Sequence, residues 1–128
     1  MILPSYKGFS LIECLLTLAL IALFMSVIYP NYNTHIMSSA RKQAETHLLQ
    51  ASNILEEHYE LAGEYTGLSP TDLNLNNTTS DPYRYELSAD TTHFALSAIP
   101  QGRQIKDHCG TLSVDQSNLH SPENSNCW

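Results

Sequence analysis

The stretch Phe9–Tyr29, FSLIECLLTLALIALFMSVIY, decides how this chain is read. It carries one charge, Glu13, and neither Pro nor Gly. As an α-helix rising about 1.5 Å per residue it spans roughly 31 Å, the thickness of a bilayer's hydrocarbon. The chain has 128 residues, room for one domain beside such a segment. A simple soluble protein is therefore excluded. The balance of 6 Lys and Arg against 13 Asp and Glu, a formal charge of −7, also argues against bulk electrostatic binding to nucleic acid. Such binding depends on cations that displace phosphate counterions.

Before the apolar run lies a short polar leader, Met1–Gly8, with one basic residue, Lys7. A conventional secretory signal has a shorter apolar region followed by a small-x-small cleavage site, and Ser26-Val27-Ile28-Tyr29-Pro30 offers none. The break in chemistry falls ahead of the run, at Lys7-Gly8-Phe9, so a cut there would leave the membrane helix on the mature protein. Lys7 favours a cytoplasmic N-terminus with the remainder translocated, and Arg41 and Lys42 beyond the run weaken that signal. Cys109 and Cys127 lie in the polar part and suit a disulfide in an oxidising space such as a periplasm, while Cys14 lies among apolar residues. Three unrelated free thiols in a reducing compartment is the alternative.

Lys7-Gly8-Phe9-Ser10-Leu11-Ile12-Glu13 resembles the type IV prepilin motif: a basic residue and Gly before the cut, then Phe, and a Glu four residues later. The resemblance continues through the apolar run, Pro30, the helix behind it and the Cys109…Cys127 pair. Asp107-x-Cys109-Gly110-Thr111-Leu112 with the closing Cys127-Trp128 is similar to PilE-type minor pilins. The resemblance implies cleavage by a prepilin peptidase between Gly8 and Phe9, N-methylation of Phe9, and pairing of Glu13 with the terminal amine of an adjacent subunit. Other pilin subunits and the inner-membrane assembly machinery are then the partners. A single-pass inner-membrane protein with a periplasmic domain, later part of an extracellular pilus, is the expected location. On its own physics, a carboxylate in a bilayer is costly, and Glu13 lies one helical turn from the freed amine. A protonated Glu13 snorkelling to the interface is the plainer alternative.

The expected fold is α+β. Beyond Pro30, which removes one helical hydrogen bond and bends or loosens the axis, Met37, Ala40, Ala44, Leu48, Ala51, Leu55, His58 and Ala62 recur every three or four residues. That spacing predicts an amphipathic helix with one buried stripe, closed by Gly63. Glu64–Pro82 reads as a loop. Tyr83–Leu87 and His93–Ile99 alternate as strands about a turn at Ser88–Thr92, Pro100-Gln101-Gly102 breaks the second, and Thr111–Val114 is a short third. Asp115–Trp128 is a polar tail in which Leu119 and Trp128 are the residues able to pack. The predicted organisation is a leader, 1–8, a membrane and fibre-core helix half, 9–29, and a periplasmic domain, 30–128. A Cys109–Cys127 bridge would contribute roughly 3 kcal/mol by restricting the unfolded chain.

No cofactor is expected. His108, Cys109, His120 and Cys127 could supply four zinc ligands, but no Cys-x₂₋₄-Cys pair exists, and adjacent His108 and Cys109 point apart in an extended segment. His47 and His58 read as surface or core-edge residues, and Glu56, Glu57 and Glu60 as a solvated face. No nucleophile or carboxylate constellation sits in a recognisable motif, so an enzyme is not expected. The favoured function is a minor structural subunit of a type IV pilus, supporting twitching motility, adhesion or DNA uptake. A type II secretion pseudopilin and a DNA-capturing competence pilin are the alternatives. For the last, Arg84, Arg103 and Lys106 are the only bases after Lys42 and could form a patch with Tyr83 and Tyr85. Against a net negative chain, DNA binding is the lesser expectation.

Overall fold

The computed structural model describes residues 8–123 and 126–128. Met1–Lys7, most of the expected leader, lie outside the described residues. The helix α1, Leu11–Ala62, starts behind Ser10, whose carbonyl accepts from the amides of Glu13 and Cys14 at 3.0 and 3.2 Å. It continues through Pro30 and stops at Gly63. There φ is +79° and the Gly63 amide still bonds the Tyr59 carbonyl at 2.8 Å, a left-handed cap that suits glycine.

The chain divides into two compact units, Met1–His35 and Ile36–Trp128. In the first, every described side chain from Leu11 to Tyr29 is exposed. In the second, the stripe predicted from the 3.6-residue period is buried where it meets the sheet. Ala44, Leu48, Ala51 and Leu55 are no more than 1% exposed, Ala40 is half-buried, and Met37 and His58 lie at the margins. Ala62, the last residue of the predicted stripe, is exposed.

Four strands form an antiparallel meander in the order β1-β2-β3-β4: β1 Tyr83–Ala89, β2 Phe94–Pro100, β3 Leu112–Asp115 and β4 His120–Ser121. Tyr83 and Tyr85, then Phe94, Leu96 and Ala98, then Leu112 and Val114, alternate onto the buried face. The first hairpin turns at Asp90–His93, later than predicted. The Asp90 carboxylate accepts from the amides of Thr92 and His93, which removes His93 from the strand. Pro100 ends β2 opposite Tyr83, a strand terminus where its missing donor does little harm. A 3₁₀ segment, Gly102–Lys106, and β4 were not legible in the sequence. Leu119, expected to pack, is 55% exposed, whereas Trp128 does pack against the core edge.

The loop 64–82 has no regular structure, yet it is pinned to the domain. Tyr65, Leu73 and Leu75 enter the core. Ser69 with Asp72, and Thr78 with Asp81, close two turns reciprocally: each carboxylate accepts the amide three residues back, and each Asp amide donates to that residue's carbonyl. Asn77 bonds both the amide and the carbonyl of Tyr85, covering part of the open edge of β1.

Candidate assembly and contact sites

The N-terminal features sit together at the start of α1. A Cβ added to Gly8 would meet no atom within 4 Å among the described residues. Phe9 is 86% exposed. Glu13 Oε2 accepts from the Ser10 amide at 2.9 Å while the Glu13 amide donates to the Ser10 carbonyl. This is the carboxylate half of a capping box, signalled by the Ser-x-x-Glu spacing, with the Ser10 backbone carbonyl as the acceptor of the Glu13 amide. Further along, the hydroxyls of Thr17 and Ser26 donate to the carbonyls of Cys14 and Leu23, so the apolar surface carries these polar groups already bonded. Cys14 is an exposed free thiol on the same helix.

A buried polar cluster joins the second unit's helix to the 3₁₀ segment. Arg41 Nη1 and Asp107 Oδ1 lie 2.6 Å apart, with side chains 8% and 3% exposed. Asp107 Oδ2 accepts from the Tyr83 hydroxyl at 3.3 Å and from Gln104 Nε2 at 3.1 Å. Gln104 Nε2 also reaches the Met37 carbonyl at 2.9 Å. Burial pushes the Tyr83 phenol up to about 12, the Asp107 charge adds to this, and the bond from Gln104 opposes it. One atom of the cluster, Arg41 Nε, is buried without a partner among the described residues. Because Gln104 and Asp107 turn inward, Arg103, Ile105 and Lys106 are left outward. Periodicity could not reveal this cluster, since its main partners are 66 positions apart.

Just beyond it, Cys109 and Cys127 form a disulfide with a Cα–Cα distance of 5.7 Å, and both residues are buried. His108 and Cys109 do not point apart as an extended segment would dictate. They occupy a turn, and His108 Nε2 lies 3.4 Å from Cys109 Sγ. His108, Cys109 and Cys127 thus come within reach of one point, but both sulfurs are committed to the bridge and supply no thiolate. His120 is occupied otherwise. Its ring stacks on Trp128 at 4.3 Å and 18°, and Trp128 Nε1 donates to the Ser121 carbonyl at 3.1 Å.

The predicted patch of bases and tyrosines does not assemble. Tyr83 and Tyr85 are buried, and strand alternation turns Arg84 to the other face, where it pairs with Glu86 at 2.6 Å. His47 and His58 on the helix hold neighbouring segments instead. His47 Nδ1 shares a 2.9 Å hydrogen bond with the Tyr85 hydroxyl, whose pKa burial raises to about 12. His58 Nε2 donates to the Thr66 carbonyl at 3.0 Å. Glu56 is not simply solvated, since it accepts from the Tyr65 hydroxyl at 3.0 Å.

Residues 30–113 match the family model described as type IV minor pilin ComP, DNA uptake sequence receptor, and residues 3–29 match the prokaryotic N-terminal methylation motif. The chain is 36% identical to a type IV pilin from Shewanella oneidensis, over 72% of this chain and 97% of that one, with a TM-score of 0.57. The non-core minor pilin PilV of Neisseria meningitidis shares the fold at 16% identity, over 68% of this chain and 86% of that one, with a TM-score of 0.55. No curated protein matches. With a matching fold, a disulfide-held C-terminal loop and an outward apolar helix stretch within the matched methylation motif, the chain belongs to the type IV pilin family, in the group of minor pilins that this model describes.

Proposed function

We propose that the chain is a minor structural subunit of a type IV pilus, cut by prepilin peptidase between Gly8 and Phe9, N-methylated on Phe9 and assembled through its apolar helix. The observation that carries this reading is the fully outward apolar surface from Leu11 to Tyr29, within the stretch that matches the methylation motif. In the inner membrane that surface meets lipid as a single span, with the folded unit in the periplasm; in a fibre it meets the same surface of neighbouring subunits. The role is structural rather than enzymatic, in keeping with the family.

Glu13 has two roles to reconcile. As a cap it satisfies the Ser10 amide; as a charge it attracts the freed ammonium of Phe9, on its own chain or a neighbour's. Glu13→Gln keeps a capping side chain and removes the charge, whereas Glu13→Leu removes both. If charge drives incorporation, both variants are processed and both accumulate in the inner membrane, scarce in sheared pili. Glu13→Gln incorporating as well as wild type would assign the residue to capping alone. Gly8→Val, whose added Cβ meets no described atom within 4 Å, is expected to block removal of Met1–Gly8. Normal processing of that variant, read by mass spectrometry, would overturn the cleavage assignment.

A second reading is favoured by the matched family description, a DNA uptake sequence receptor. Arg103 and Lys106 are its bases of choice, being exposed while Arg84 is engaged by Glu86. A salt-dependent DNA shift with full-length protein in detergent tests it; no shift at low salt excludes it.

A further inference from the structure

Arg103, Ile105 and Lys106 stand on the outer side of the 3₁₀ segment whose inner side is held by Gln104 and Asp107. Ile105 is 66% exposed. Neither cation enters an ion pair among the described residues, unlike Arg41, Lys42 and Arg84. Two unpaired cations around an open isoleucine, on a segment fixed by buried hydrogen bonds, form a small preorganised contact surface. Its complement is acidic around an apolar residue.

The same chain carries that complement at the far end of α1. Glu57, Glu60 and Leu61 fall within the last turns of the helix and Glu64 follows its Gly63 cap; all four are exposed, Leu61 at 84%. None of the three carboxylates is ion-paired among the described residues, and no basic residue occupies the last helical turn. They therefore face the negative end of the helix dipole and one another without relief inside the subunit. Incoming cations would supply that relief.

We propose that the Arg103-Ile105-Lys106 surface of one copy docks on the Glu57-Glu60-Leu61-Glu64 surface of a second copy, Ile105 against Leu61 and the cations among the carboxylates. The contact joins two different surfaces, so each copy keeps one of each free and association propagates head to tail instead of closing a pair. Gln104 is bonded to the Met37 carbonyl, and Glu57 lies roughly 20 residues further along the helix, about 30 Å. Bound copies are accordingly staggered along the helix direction. This deepens the pilus reading and rests on it for the setting in which the contact forms. A nucleic-acid backbone would also draw the two cations, but it gives no reward for Ile105, which the Leu61 side chain does.

The test uses full-length chain in cells that assemble pili. With Cys14→Ser in every copy to remove the exposed free thiol, copies carrying Leu61→Cys and copies carrying Ile105→Cys are expressed together or singly, and mass mapping verifies that Cys109–Cys127 stays paired. Covalent dimers are expected from the mixture and not from either variant alone. Adding Arg103→Glu and Lys106→Glu to the Ile105→Cys copy should cut the dimer yield at least tenfold, and Glu57→Lys with Glu60→Lys on the other copy should restore it. Absence of dimers from the mixture, equal dimers from a single variant, or no restoration would overturn the proposal. So would charge reversal at Arg103 and Lys106 that abolishes a DNA shift yet leaves the cross-link unchanged, which would assign the surface to DNA. If wild-type chain is missing from sheared pili, the pilus reading falls separately, and cross-linking in the membrane fraction still decides whether the contact exists.

Discussion

From Leu11 to Tyr29, α1 turns every described side chain outward, leucines and isoleucines included. From Ala44 to Leu55 the same helix hides an alanine–leucine stripe under a four-stranded sheet and shows Thr46, Gln50 and Asn53 to solvent. One backbone geometry thus serves two environments. The second segment finds its apolar partner within the chain; the first finds none there and requires lipid or other subunits to cover it. Helix and fold are therefore separable properties in this molecule: damage to the sheet-facing stripe should unfold a domain, whereas equal damage to the outward surface should change only what the domain is attached to.

The largest effect should come from the buried charge. Asp107→Ala leaves the Arg41 guanidinium without its carboxylate and frees Gln104 and Tyr83, at an expected cost of about 3–5 kcal/mol to the second unit. Denaturant unfolding of full-length protein in detergent, followed through Trp128, measures it. A change under about 1 kcal/mol would mean that solvent reaches the cluster and that it does not anchor the 3₁₀ segment.

Next comes a matched pair on one helix. Leu55→Ala removes a fully buried side chain and should cost about 2–5 kcal/mol, while Leu18→Ala, with its side chain 63% exposed, should leave the same transition within about 0.5 kcal/mol. Equal losses from both would show that the two segments unfold as one unit, and the contrast between them would fail.

The two segments also differ in how readable they were. The outward stretch and the buried stripe announce themselves by composition and period, because each repeats one demand over many residues. Gly63 and the β1–β2 alternation were legible for the same reason. Arg41 and Asp107 were not, since a charged pair inside a domain contradicts the pattern that locates the inside, and only the folded chain brings the partners together. Tyr65, Leu73 and Leu75 were hidden in a polar loop, where single apolar anchors carry no period. The 3₁₀ segment and β4 are too short to impose one. At the N-terminus the methylation motif was plain, but the cap that Glu13 makes with Ser10 was overshadowed by the expected partnership with Phe9.

The smallest effect concerns acid, and it separates the segments by what titrates in each. Asp72 and Asp81 are held below the ordinary carboxylate range by hydrogen bonds from Ser69 and Thr78, and Asp90 by the amides of Thr92 and His93. A carboxylate whose pKa is lowered on folding stabilises the folded state above its unfolded value of about 3.9, and that contribution is lost as pH falls through the lower folded value. All three sit on exposed turns, where water screens their contributions, so each is small. Tm of the second unit should accordingly stay level from pH 7 to 5 and decline only below about pH 4. The triple variant Asp72→Asn, Asp81→Asn, Asp90→Asn should melt slightly lower at pH 7 and show a shallower acid decline. The helical signal of the Leu11–Tyr29 stretch in detergent, whose one ionisable carboxylate is Glu13, should persist through the whole range. An acid decline equally steep in the triple variant would locate the acid sensitivity elsewhere in the domain, and loss of the Leu11–Tyr29 signal in step with it would join the two segments into one cooperative structure.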